Sequence, residues 1–200
     1  TQLLWSPYLE QFKKAEKDVL LMDDPIDEWV VGSLTSYKGH DLKSITSHDV
    51  QVDATDETAQ EKKKEIEKTE AKEKDFLTFV QAKVWTDRLE KVIFTDALDE
   101  SVWVLVTQDG QTSAQMERIM EAMWQQVQKW KRILSLNVEH PLVKQMIDRF
   151  HENKDDSMLQ DLIAHTYDQA VLLEWGVVED MSTFLKRSNR LISASDESKE

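Results

Sequence analysis

The sequence predicts an α+β fold, and three observations support that prediction. Stretches rich in β-branched and aromatic residues at 88–95, 101–108 and 132–138 have the length and composition of strands. Segments with apolar residues at helical spacing lie at 112–128, 141–150, 158–175 and 181–192. A composition of 40% hydrophobic and 32% charged residues is that of a chain able to bury a core.

The elements follow in chain order. Pro7 opens an amphipathic helix over 8–17, with Leu9, Phe12 and Ala15 near helical spacing. Val19-Leu20-Leu21-Met22 is a continuous apolar run, as expected of a buried strand. Asp23, Asp24 and Pro25 supply an oxygen cap, negative charge and a first-turn proline for a helix through Ile26, Trp29, Val30 and Leu34. Tyr37-Lys38-Gly39-His40 reads as a turn into an extended segment over 42–45, so the first fifty residues form a small α/β unit on this reading. The stretch EKKKEIEKTEAKEKD then interleaves both signs, with Glu70 and Lys74 a favourable i,i+4 pair, as in a solvated helical linker. From Phe76 the helix gains an apolar face through Leu77, Val80 and Val84. The short connection 96–100 favours pairing 88–95 with 101–108 as an antiparallel hairpin, which Asp109-Gly110 ends. Pro141 opens a helix bearing Leu142, Val143, Met146, Ile147 and Phe150, and two helices close the chain.

Composition excludes several function classes. There are 39 acidic against 25 basic residues, a formal charge of −14, which argues against a nucleic-acid partner. With no cysteine there are no disulfides, thiol catalysis or thiolate metal sites. Gly32, Gly39, Gly110 and Gly176 stand alone, so the sequence has no phosphate-cradling loop and no dinucleotide fingerprint. The five histidines show no metal-ligand spacing, and neither a Gly-x-Ser-x-Gly elbow nor a His-Glu-x-x-His pair occurs. No apolar run approaches the ~18 residues of a membrane helix. These residues point to no catalytic, cofactor-binding or metal site.

Two features carry a functional reading. Met116, Ile119, Met120, Met123, Trp124 and Val127 share one helical face. Packing on the sheet would account for that face, but three methionines and a tryptophan also make a flexible, polarisable surface suited to varied partners. At the C-terminal end, Leu159, Leu162, Ile163, Ala170, Val171 and Leu173 form one apolar stripe, and Phe184, Leu185, Leu191 and Ile192 another. The two helices either fold back on their own domain or form a four-helix interface with a second copy.

Three strings, in this order, resemble one family. SPYLEQFKK with VLLMDDPIDEWVVGSLTSYKGHDLKSI resembles the end of the middle domain of heat shock protein 90 chaperones. QMERIM with LSLNVEHPLVKQM, and the ending AVLLEWGVVEDMSTFLKRSNRLI, resemble that family's C-terminal domain. The resemblance covers essentially the whole chain and looks most like a bacterial or organellar member.

The resemblance implies a homodimeric, ATP-driven chaperone of which this chain holds only the C-terminal part. It divides the chain into the end of the middle domain at 1–55, a charged helical linker at 56–75, and a C-terminal dimerisation domain at 76–200. That last domain would contain a three-stranded sheet, an amphipathic helix and the closing helices. ATP and Mg would belong to the full-length protein, and this piece would have no enzyme activity. The expected partners are a second copy and unfolded or partly folded clients, with no nucleic acid and no membrane, in a bacterial cytoplasm or an organelle. Leu159, Leu162, Ile163, Ala170, Val171, Phe184, Leu185, Leu191 and Ile192 would form the dimer interface. Trp29, Met116, Ile119, Met120, Met123 and Trp124 would touch clients. The rival expectation is a structural dimerisation module with the methionine face buried.

Overall fold

The computed structural model describes residues 2–22, 24, 26–48, 50, 52, 57–84, 89–108, 111–123 and 130–197. A 3-10 turn at Pro7–Leu9 leads into α1 (Glu10–Lys14), and α2 (Asp27–Ser33) precedes the two-residue strands β1 (Ser36–Tyr37) and β2 (His40–Asp41). Next come α3 (Glu57–Lys72), α4 (Lys74–Lys83), β3 (Leu89–Thr95), β4 (Trp103–Val106), α5 (Ala114–Ala122) and β5 (Arg132–Asn137). The chain then runs through α6 (Pro141–Glu152), α7 (Ser157–Trp175) and α8 (Met181–Glu197). The α+β class is as expected.

The main sheet has the order β3-β5-β4, with β5 parallel to β3 and antiparallel to β4. The expected hairpin between 88–95 and 101–108 is therefore wrong. All six residues of β5 are buried, and such a strand gains most from the central place, where both edges and both faces are covered. Val92, Leu134 and Leu105 stand side by side on one face, as do Phe94, Leu136 and Trp103. Helices cover that face with Phe76 and Val80 of α4, Val143, Met146 and Phe150 of α6, and Leu159, Ile163 and Ala170 of α7. The opposite face carries Ile133, Val104 and Val106 and is met by Leu98 and Tyr8. The N-terminal segment is thus the third layer.

That segment departs from expectation in three places. Residues 17–22 have no regular secondary structure, and Leu20 is 73% exposed, so the apolar run is not a buried strand. Among the described residues no strand pairs with it, and composition alone does not supply a ladder. The helix over 8–17 is shortened to the 3-10 turn and α1. The extended segment expected at 42–45 is a loop and turn; the ladder lies instead at β1 and β2. Lys38 (φ 48°) and Gly39 (φ 82°) both have positive φ, as a two-residue hairpin turn requires. The expected roles of Asp23, Pro25, Arg88 and Asp109-Gly110 lie outside the described residues.

Candidate functional site

Helix α5 begins at Ser113, whose hydroxyl accepts from the Met116 N–H at 3.0 Å and caps the first turn. The buried residues of α5 are Ala114 and Glu117. Met116, Ile119 and Met120 are half-buried and belong to neither apolar core cluster, while Met123 is 53% exposed. The described residues of the methionine face thus stand outside both core clusters. Trp124 and Val127 lie outside the described residues.

Ser113 has a second role. Its hydroxyl donates to Glu28 Oε2 at 2.9 Å, so α2 sits against the start of α5. Trp29, the next residue on α2, is 46% exposed. Two segments 85 positions apart are thereby joined at one hydrogen bond.

The inward side of α5 is ionic. Arg132 of β5 is fully buried, and its Nη2 donates to Glu117 Oε1 at 3.0 Å while its Nε donates to Glu174 Oε1 of α7 at 3.0 Å. Tyr8 lies beside Glu174, its hydroxyl 2.8 Å from Oε2 and 2.5 Å from the Leu105 carbonyl oxygen. Burial pushes the Glu174 carboxyl above its ordinary value, against the opposing pull of Arg132. Burial, then the Glu174 charge, raise the Tyr8 phenol in the same way. Nearby, the Glu10 carboxylate accepts from the Asp99 and Ser101 N–H groups and from the Ser101 hydroxyl, pinning α1 to the β3–β4 connection. Sequence reading missed this cluster because charged side chains default to the surface. The available signal was an arginine opening a strand that otherwise lacks charge.

The closing helices turn at Gly176 (φ 77°), and Asp180 caps α8 through the Thr183 N–H at 2.9 Å. His165 stacks on Phe184 with ring centres 4.9 Å apart. Arg187 reaches Asp168 at 2.6 Å, and Arg190 holds Asp161 through two bonds of 2.7 and 2.8 Å. Burial lowers the His165 imidazole, helped by the Arg187 charge, and raises the Asp168 carboxyl despite its bond to Arg187.

This arrangement divides the expected interface residues. Leu159, Ile163 and Ala170 are buried in the chain's own core, and Leu162 and Val171 pack against it. The first stripe faces the sheet because α7 packs on β4, so Leu159, Ile163 and Ala170 serve the chain's own core, while Leu162 and Val171 remain partly exposed at its edge. Phe184 and Leu191 are half-buried, while Leu185 and Ile192 are exposed. Leu173, Val177 and Met181, absent from the expected interface, are also exposed.

Comparison with known proteins bears on this geometry. The family model described as Hsp90 protein matches residues 1–200. A Chaperone protein HtpG of Geobacter metallireducens is 38% identical over 97% of this chain and 30% of its own length. The protein of the same name from Chromobacterium violaceum is 39% identical over 94% of this chain and 28% of its own length. That from Legionella pneumophila strain Paris is 33% identical over 95% of this chain and 29% of its own length. The chain thus spans under a third of the length of these relatives. A match running through every element described above, from Tyr8 to α8, places the chain in the Hsp90 family.

Proposed function

We propose that this chain is the C-terminal, dimerising and client-binding portion of an ATP-dependent chaperone that assists protein folding in the bacterial cytoplasm. Residues 1–55 would be the end of its middle domain, 56–75 the linker and 76–200 the dimerisation domain. One observation carries the reading: the methionine face of α5 stands apart from both apolar cores, with the Trp29 helix hydrogen-bonded to its cap. Met123 and Trp29 are exposed, and Met116, Ile119 and Met120 are half-covered, which suits a surface that accepts varied apolar segments.

Self-association is assigned to the outer side of the α7–α8 hairpin. Leu173, Val177, Met181, Leu185 and Ile192 are exposed there, and α8 places Met181 and Leu185 one turn apart. A stable dimer would bury about 1,600 Å² in total.

On this reading ATP and Mg belong to the full-length protein and not to the described residues. Among them no group of three His, Asp or Glu residues could hold a metal ion. We assign nucleotide chemistry to other parts of the full-length protein.

The test is the Trp29→Ala, Met120→Ala double variant. It should suppress aggregation of an unfolded protein less well than the parent, while circular dichroism and association state stay unchanged. Undiminished suppression by a folded double variant rejects the client surface and leaves the structural dimerisation module.

A further inference from the structure

Buried ion pairs contribute little net stability, because desolvation offsets the attraction between the charges. Two carboxylates on one buried guanidinium therefore need another explanation. Arg132 is the junction of three layers: β5 carries it, α5 meets it through Glu117, and α7 meets it through Glu174. Its Nη2 also donates to the Thr112 carbonyl at 3.2 Å, one residue before the cap of α5. Glu117 is in turn one of the two buried residues of α5. At about 100° per residue, Met116 lies a little over a quarter-turn round the helix from Glu117, and Met120 about 60° from it on the same side. Fixing Glu117 inward therefore fixes where the methionines point.

The far end of the chain of bonds is Tyr8. It sits on the opposite face of the sheet and reaches Glu174 directly. We propose that Arg132, acting through Glu117, is the positioning residue that holds the methionine face of α5 out of the core, and that Tyr8 and Glu174 tie this setting to the N-terminal segment. When Tyr8 lifts away, Glu174 loses a hydrogen-bond partner and draws harder on Arg132. The Arg132–Glu117 bond then slackens, and α5 gains freedom to roll. The consequence for clients rests on the function proposed above; the coupling itself does not.

Amide hydrogen exchange on the full chain tests the coupling. Tyr8→Phe should speed exchange across Glu117–Ala122 about tenfold, the scale of losing one hydrogen bond to a charged group. In a Glu117→Gln background the same change should speed it about twofold or less, because residues in one network do not act additively. Exchange in α4 and α6 should not move. The proposal is overturned by equal acceleration in both backgrounds, by acceleration shared equally with α4 and α6, or by no change in α5. If the Glu117→Gln chain does not fold, the comparison of α5 with α4 and α6 in Tyr8→Phe decides alone. Loss of the client surface in the aggregation assay would leave this result untouched.

Discussion

Tyr8 and Glu174 stand 166 positions apart in the chain and meet at 2.8 Å across the sheet. The Tyr8 hydroxyl donates to Glu174 Oε2 and lies equally within reach of the Leu105 carbonyl oxygen, so its one proton serves two acceptors. Burial of Glu174 favours its neutral form, while Arg132 and the Tyr8 hydroxyl favour the carboxylate, and burial prevails.

The sign of the resulting pH dependence follows. The folded-state pKa of Glu174 lies above its ordinary 4.5, so the folded chain binds the proton more tightly than the unfolded chain does. This contribution to stability is complete below pH 4.5 and is lost as pH rises through the folded-state pKa. Glu174→Gln keeps the neutral shape and cannot titrate. Urea denaturation across that window should therefore show the parent losing stability relative to the variant as pH rises. Parallel pH profiles would argue against a raised Glu174 pKa.

Removing the cation is costlier than removing any one of its partners. Arg132→Met leaves Glu117 and Glu174 facing each other without a counter-charge, and the expected cost is about 3–5 kcal/mol. Arg132→Lys keeps the charge but loses the fork that serves both carboxylates, so its cost should be smaller and still measurable. Urea midpoints at neutral pH rank the three chains.

The closing helices separate core from contact surface. Ile163→Ala removes a fully buried side chain and should cost about 2–5 kcal/mol of folding stability. Met181→Asp with Leu185→Asp alters exposed positions, where substitution usually changes folding by no more than about 0.5 kcal/mol. Sedimentation equilibrium should show self-association weakened at least tenfold by the double change, a loss of about 1.4 kcal/mol. Association equal to the parent's would move the proposed interface off this face.

His165 makes the hairpin sensitive to acid. Its folded-state pKa lies below the ordinary 6.5, so the folded chain prefers the neutral ring. Stability from this source is present above pH 6.5 and falls away as pH drops towards the folded-state pKa. His165→Phe keeps an aromatic ring for Phe184 to stack on and removes the titration. Amide exchange in α8 should accelerate between pH 7 and 5 more in the parent than in the variant, after correction for the intrinsic pH dependence of exchange.

Periodicity was enough to read most of the elements. The helices bearing Val143, Met146 and Phe150, or Leu159 and Ile163, point those residues into the core as their spacing predicts. Strand order was not legible, because connection length favours pairing β3 with β4 while burial favours β5 between them. Val19–Met22 shows the same limit, since an apolar run becomes a strand only where a ladder exists to join. At the candidate site, the methionine face could be read but not its direction. Direction depends on Glu117 and Arg132, two charged residues whose burial follows only from finding each other. The Glu28–Ser113 bond that sets Trp29 beside α5 joins segments far apart, and no local pattern announces it.

The central position of β5 governs the order in which this chain can fold. Strands β3 and β4 are synthesised first, yet in the finished sheet each pairs with β5 rather than with the other. Until Arg132–Asn137 leaves the ribosome, both present unpaired inner edges with an apolar gap between them. Such edges accept any extended segment that arrives, including one from another nascent chain. The parallel pairing of β3 with β5 also closes a long loop before it gains any contact, which slows the step. Completion of both inner edges of this sheet thus waits on the last of its three strands to be made.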